Sequence, residues 1–419
     1  MARRAWERRG LGAGGYLLLA ALAGLSPMTN VFILPALPEL ARGLDTSLSA
    51  AQFALSAGLA GLAVGQLVVG PMSDRLGRRT PLTVGLFLYV GTTVLCAFAT
   101  DITVLIVCRL LQGASGGAAW VIARAMVRDI YSARASARVF SQMAMITGLA
   151  PIIAPILGGQ LLAVVDWRGL FAVLACIGVA VTVMALIFMR ETLPRERRQQ
   201  GGLRGQGQSM LALLRSPYFM AFFALSVVQS AMYFTFLIMS PFVFQGQFGL
   251  TVQAFGALYA CAAVAIVLGN QINVFLLRRW TPMTLLCAQL LIAALGAVAF
   301  LVAIMLDAPL PVVLLMLLPV PLSAGATNAN ITALALAPYG HAAGTAAALL
   351  GACQFGGGAL VPPLVSLLGV DGVAMGLTLL VTGVASFAIG AVMRVRLRAA
   401  LTEAFASEDE EKSRPLRDD

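Results

Sequence analysis

Few residues in this chain have the type and spacing to do chemistry, and their setting points to binding and gating. Arg109 and Gln112 interrupt the apolar run 103–125 three positions apart, so on a helix they share one face. An arginine at that depth costs about 2.5–3.5 kcal/mol to insert, so it needs a wet cavity or a polar partner. Contact with a transported ligand or proton is one reading. A structural role, bonding the carbonyls of neighbouring helices, is the other. In a short basic loop, Asp74 and Arg78 stand four apart among Arg75, Gly77 and Arg79. That spacing lets them pair on one face, or lets Asp74 face a helix N-terminus. Gly77 permits a tight turn, and Gly70 lets a helix end approach a neighbouring backbone.

Covalent chemistry has no constellation to work with. His341 is the single histidine, and the six cysteines all fall inside apolar runs with no CxxC pair. No disulfide, metal site or cofactor is expected. The 18 Asp and Glu residues lie in tails, loops or the edges of apolar runs. A membrane-embedded enzyme would need a nucleophile and base, or metal ligands, at one depth, and none is present. Arg109 stays charged and cannot carry a proton. Proton coupling would need an edge acid such as Glu39, Asp74 or Asp129. An interior without central carboxylates suits neutral, amphiphilic or anionic cargo better than cations.

The elements that must position these residues are membrane helices. Of the 419 residues, 60% are hydrophobic and only 11% charged, which excludes a soluble enzyme and a disordered chain. The net charge of +10 is scattered in short clusters, which argues against nucleic-acid binding. Runs able to cross a bilayer of about 30 Å fall at 14–36, 51–72, 81–99, 103–125, 139–163, 169–189, 218–240, 254–276, 284–305, 311–336, 343–368 and 373–392. They lack the polar alternation of barrel strands, so an all-α membrane protein with twelve transmembrane helices is expected. Of the 28 basic residues, only Arg42 and Arg168 fall in one set of alternating loops, and Arg109 falls inside a run. All the others fall in the second set, which places both termini in the cytoplasm. Arg-rich MARRAWERRG resembles a signal-peptide start, but the apolar run continues through Leu34 and reads as an uncleaved first span.

The chain echoes itself. Gly70 to Asp74 followed by Arg78, Arg79, Thr80 and Pro81 recurs as Gly269 to Asn273 followed by Arg278, Arg279, Thr281 and Pro282. An offset near 200 residues fits two pseudo-symmetric six-helix bundles. The expected units are 1–189, a cytoplasmic linker 190–217 rich in Arg, Gln and Gly, a second bundle 218–393, and a tail 394–419 expected to be disordered.

With these motifs in place, the chain resembles the major facilitator superfamily. Gly70-Pro71-Met72-Ser73-Asp74-Arg75-Leu76-Gly77-Arg78-Arg79 resembles its gating loop between spans two and three, and Arg109 to Gly113 resembles its RxxQG signature. The span-five stretch from Gly148 through Pro151, Pro155 and Gly158 to Gly159 resembles the antiporter signature of drug exporters. Asp166 to Phe171, Glu191 to Pro194, Ser240 to Val243 and Ala343 to Ala346 are similar to the bicyclomycin and chloramphenicol exporters among the twelve-span drug:proton antiporters. The resemblance implies the major facilitator fold, an inner-membrane location, and export of a drug-like small molecule by alternating access, with protons as possible partners. It also implies a loop that latches the two bundles on the cytoplasmic side. The bilayer is the remaining partner, and a monomer is expected. By family analogy the substrate contacts are Asn30, Arg109, Gln112, Gln229, Tyr233 and Asn328, with Met28 and Phe32 as apolar surface. One departure is marked: the acid usual in span one, four positions before the proline that is Pro35 here, is replaced by Val31.

Overall fold

A computed structural model describes residues 13–130, 139, 143, 153–189, 191–194, 210–339, 343–366 and 369–396. The order is α1 (Ala13–Phe32), a 3-10 turn (Leu34–Ala36), α2 (Leu37–Gly43), α3 (Leu48–Leu76), α4 (Arg79–Ala97) and α5 (Ile102–Ile130). A helical stretch at 153–161 precedes α6 (Trp167–Phe188). The second half has α7 (Pro217–Pro241), which passes into a π-helical turn (Phe242–Gln247), then α8 (Val252–Leu276) and α9 (Pro282–Met305). It continues through α10 (Leu310–Leu317), α11 (Pro319–Leu336), α12 (Ala343–Ser366) and α13 (Gly372–Arg396).

Ten segments are long and apolar enough to cross a bilayer, and Thr345–Leu360 within α12 is a shorter apolar helix. With the described end of span five, this order fits the twelve spans read from the sequence. Side chains with a free hydroxyl or carboxylate start several helices. Ser47, Asp166, Ser216, Thr251 and Thr281 each accept a bond from the backbone N–H three residues on, satisfying donors that the first turn leaves open. Asp101 does the same for Thr103 and Val104, and those bonds hold its carboxyl below the usual carboxylate range.

Two details depart from the twelve simple runs. Span one continues past a 3-10 turn at Leu34-Pro35-Ala36 into α2. Span ten is broken at Leu318, where Pro319 and Pro321 cannot donate to the helix ladder.

Glycines set a close helix crossing in the first half, though not where the loop motif suggested. A Cβ at Gly70 would meet only the Val121 side chain at 3.6 Å, an ordinary contact, so the close approach read there from the sequence is absent. That approach is made higher in α3. A Cβ at Gly61 or Gly65 would overlap the backbone of α5 at Leu110 or Ala114, and one at Gly113 would overlap the Gly58 carbonyl. Gly61→Ala is therefore expected to lower stability by about 1–3 kcal/mol. Gly70→Ala should stay within about 0.5 kcal/mol of the parent. Thermal denaturation of the two purified variants checks the contrast; equal melting temperatures would remove the crossing argument.

The apolar core has three parts. One is shared by both halves and joins Phe32, Leu34 and Leu55 to Phe236, Phe244 and Phe255. The second holds first-half residues only, such as Leu22, Tyr89 and Ile122. The third holds second-half residues only, such as Phe222, Leu290 and Leu334. The two separate cores lie toward the face that carries Arg75, Arg78, Arg278 and Arg279, called here the Arg-rich face. The shared core lies toward the opposite face. The halves are thus sealed together on one side and packed separately on the other.

Candidate functional site

Arg109 is 1% exposed, which makes it the largest fully buried side chain among the described residues. α5 carries it, and three neighbouring helices receive it. Its Nη1 donates to Gln112 Oε1 at 2.6 Å and its Nη2 donates to Asn30 Oδ1, also at 2.6 Å. The network extends in both directions. Gln112 Nε2 donates to Thr93 Oγ1 at 2.7 Å, and Thr93 donates to the Tyr89 carbonyl. Asn30 Nδ2 donates to the Ser26 carbonyl at 3.1 Å, while Thr29 and the Tyr89 hydroxyl bond each other. Space for the guanidinium comes from Gly58 on α3, where a Cβ would sit 2.7 Å from Nη2 and 2.9 Å from Asn30 Oδ1. Arg109 Nε is the one atom of the group without a partner.

The sequence therefore found three members of one constellation: Asn30, Arg109 and Gln112. It missed Gly58, Tyr89 and Thr93, whose residue types are ordinary in apolar helices and whose role depends on a tertiary approach. The arrangement is a positively charged fork held by neutral oxygens. Charge-assisted bonds of this sort are worth roughly twice neutral ones.

The other three candidates lie in the second half. Gln229 on α7 is 6% exposed, and its Oε1 is buried without a partner. Tyr233, one turn on, is half-buried and packs edge-on against Phe234 at 5.2 Å. Asn328 on α11 is half-buried, and its carbonyl accepts from Thr332. No hydrogen bond between these three and the Arg109 network occurs among the described residues. Val31, at the position of the usual acid, is buried in the shared core, as is Phe32. Among the described residues no carboxylate is buried.

In the span-five motif, Gly148 and Pro151 lie outside the described residues. The rest forms contacts with both halves. A Cβ at Gly158 would overlap the Phe32 carbonyl of the same half, while one at Gly159 would meet the Val252 carbonyl of α8 at 3.2 Å. Gly256 of α8 lies against the Pro155 carbonyl, and Gln253 Nε2 donates to the Gly159 carbonyl at 3.4 Å. On the same side Gln245 Nε2 donates to the Pro35 carbonyl at 3.2 Å. Small residues thus let α8 and span five close the opposite face.

On the Arg-rich face the gating-loop residues form a compact ion cluster. Gly77 has φ +93°, the left-handed conformation glycine adopts freely, and it turns the chain from α3 into α4. The turn brings Arg78 back so that Nη1 lies 2.6 Å from Asp74 and 2.7 Å from Ser73 Oγ, while Nε lies 2.9 Å from Asp129 at the end of α5. Arg78 is 5% exposed. Burial lowers its pKa, but the hydrogen bond and charge of Asp129, with those of Asp74, outweigh burial and leave it raised. Glu191, after α6, accepts from the backbone N–H groups of Arg78 at 2.8 Å and Arg79 at 3.3 Å, capping α4 from a distance in sequence. Thr192 donates to Asp129. Arg75 and Arg79 are exposed. All these contacts of Arg78 lie within the first half.

The echo of this loop in the second half carries no charge in its core. Asn273, at the place of Asp74, joins Gln289 and Asn330 in a buried amide triad with contacts of 2.8 to 3.4 Å.

A separate cavity of about 390 Å³ opens between α7, α8 and the broken span ten, lined by Phe236, Ser240, Phe244, Tyr259, Leu314 and Pro321. Its walls are almost wholly carbon, and the Ser240 hydroxyl is committed to the Phe236 carbonyl.

Comparison with known proteins places this geometry. Residues 19–362 match the Major Facilitator Superfamily. The chain is 33% identical over 373 residues to an uncharacterized MFS-type transporter, YdgK, of Bacillus subtilis, covering 88% of this chain and 92% of that one. It is 26% identical over 359 residues to a bicyclomycin resistance protein homolog of Haemophilus influenzae, covering 85% and 89%. A multidrug resistance protein, MdtL, of Escherichia coli O157:H7 is 29% identical over 277 residues, 66% of this chain and 70% of that protein. Among solved structures, a bacterial homolog of the human lysosomal transporter Spinster, inward-facing and unoccupied, superposes with a TM-score of 0.70 at 16% identity, covering 95% and 98%.

Proposed function

Because this chain belongs to the Major Facilitator Superfamily and is a transporter rather than an enzyme, we propose that it exports small amphiphilic, drug-like compounds across the inner membrane. It does so by alternating access, with the Arg-rich face and both termini in the cytoplasm. The observation that carries export is the similarity, over most of the chain, to proteins named for resistance to bicyclomycin and to multiple drugs. The packing supports alternating access. Two halves that share a core near one face and hold separate cores near the other can pivot about the shared region. The buried charge supports the cargo class. Arg109 is cationic and no described carboxylate is buried, so a permanent cation gains nothing from entering, whereas neutral and anionic amphiphiles do.

Exchange for protons is the energy source proposed. Its carriers would be the carboxylates around Arg78, since Val31 replaces the membrane acid: Asp74, Asp129 and Glu191 all contact the latch, and protonating any of them removes a charge that Arg78 or the start of α4 uses. Expression in an efflux-deficient host, with growth measured against chemically diverse toxic compounds, tests export; no change in tolerance to any compound would overturn it. Everted vesicles with and without an imposed pH gradient test coupling. Faster uptake with the gradient is expected, and equal rates would make the protein an uncoupled facilitator.

A further inference from the structure

The carbon-walled cavity beside the broken span ten is lined by no member of the Arg109 network or of the ion cluster. Its floor is buried and aromatic. Phe236, Phe244 and Phe255 form it within the shared core, and the Tyr259 ring stacks on Phe236 with centroids 6.1 Å apart and planes at 12°. Its rim is different: Cys261 of α8 and Pro311, Leu315 and Leu318 of span ten are all exposed.

That rim faces lipid. On α8, Cys261 stands at the head of an exposed apolar stripe that runs through Val264, Leu268, Ile272 and Phe275 at helical spacing. On span ten, Val312, Leu315 and Leu318 make a second stripe. Apolar residues exposed along helices that cross a bilayer meet hydrocarbon, so the cavity opens sideways into the membrane.

Its depth matches one leaflet. α8 ends just before Arg278 and Arg279, so its Val252 end lies at the opposite face. The lining residues Phe255 to Ala262 follow Val252 by three to ten positions, about 5–15 Å into the membrane at 1.5 Å per residue. A hydrocarbon layer of about 30 Å gives each leaflet about 15 Å.

The walls also decide what can fill the space. The Ser240 hydroxyl is spent on the Phe236 carbonyl, so the polar head of an amphiphile inside would carry the cost of an unpaired buried group. A run of methylene groups leaves nothing unpaired and restores dispersion contacts to the whole lining. An apolar cavity of about 150 Å³ stays dry and holds a benzene ring. At about 390 Å³ this one has room for a length of alkyl chain.

We propose that this cavity binds one lipid acyl chain, drawn sideways from the leaflet at the opposite face and seated against Phe236, Phe244 and Phe255. The site needs only the bilayer and these walls, so it stands or falls independently of drug export.

Photolabelling of the full-length protein in phosphatidylcholine vesicles tests the proposal, using a trace of phosphatidylcholine with a diazirine midway along one acyl chain. After irradiation and peptide sequencing by mass spectrometry, Phe236 and Phe255 should carry at least as much label as Leu268, although Leu268 is exposed and they are buried. The same lipid with its diazirine on the headgroup should leave both unlabelled. Cys261→Trp sets a bulky ring at the mouth, and Ala262→Phe fills the space from its wall. Each should cut the label at Phe236 and Phe255 about tenfold or more while leaving Leu268 unchanged, because a close-packed interior has no second place for the chain. Cys261→Ser should label as the parent does, and melting temperatures establish that the variants are folded. Label confined to Leu268 and other exposed positions would overturn the site. So would label on Phe236 and Phe255 that comes equally from the headgroup probe, or that neither Cys261→Trp nor Ala262→Phe reduces.

Discussion

Alanine at position 109 is expected to cut transport by about tenfold or more and to lower the melting temperature as well. Removing the guanidinium strands Asn30 Oδ1 and Gln112 Oε1, each of which accepts a 2.6 Å charge-assisted bond. Bonds to charged groups are worth about 1.5–3 kcal/mol each, and a buried acceptor left unpaired carries its full desolvation cost. Arg109→Lys keeps the charge but offers a point donor in place of a planar fork, so it should fall between the parent and alanine in both measurements. Gly58→Ala should mimic the defect from the other side by pressing a methyl group against Nη2. Vesicle flux and thermal denaturation on the same preparations separate the two roles read from the sequence. Loss of flux with loss of stability marks Arg109 as the keystone of the first bundle. Loss of flux at unchanged stability would mark it as a ligand contact instead, and parent-like values of both would end the argument.

The second large effect belongs to the ion cluster of the proposed gating loop. Arg78→Gln removes a side chain that holds Asp74, Ser73 and Asp129 together, and leaves two partly exposed carboxylates without their shared cation. Hydrogen bonds to charged groups are worth about 1.5–3 kcal/mol each when buried and less when water reaches one partner, so this variant should be nearly inactive and less stable. Asp74→Asn is milder in stability, because Arg78 retains Asp129 and Ser73. It should still lose transport with little loss of ligand binding, since Asp74 is far from the membrane interior. Vesicle flux measured on both variants checks this, and Arg78→Gln transporting as the parent does would refute the gating role.

What the sequence made legible follows from how rare each signal is in its surroundings. Arg109, Gln112 and Asn30 stand out because polar groups are costly in an apolar run, and the structure brings all three within hydrogen-bonding reach. Gly77 was legible because a basic turn between two spans needs a residue free to take positive φ. Gly58, Tyr89 and Thr93 were hidden, for such residues are common in membrane helices and only the crossing of α3, α4 and α5 gives them a task. Gly70 shows the converse: its place in a known motif suggested a close approach that Gly65 and Gly61, about one and a half and two and a half turns earlier, provide. Glu191 was visible as part of a motif, yet its act of capping α4 required the fold. The break in span ten could have been suspected from Pro319 and Pro321, but hydropathy alone passes over it.

The side chains that grip Arg109 are amides, so the group adds one positive charge to a region of low dielectric and has no described anion within its bonding shell. A charge placed there feels the electrical potential across the cell membrane, which is worth about 2.3 kcal/mol per elementary charge for each 100 mV traversed. If the first bundle tilts during the cycle, even a fraction of that field crossed by Arg109 biases the two orientations. Their balance would then follow the energised state of the cell in addition to the concentration of cargo.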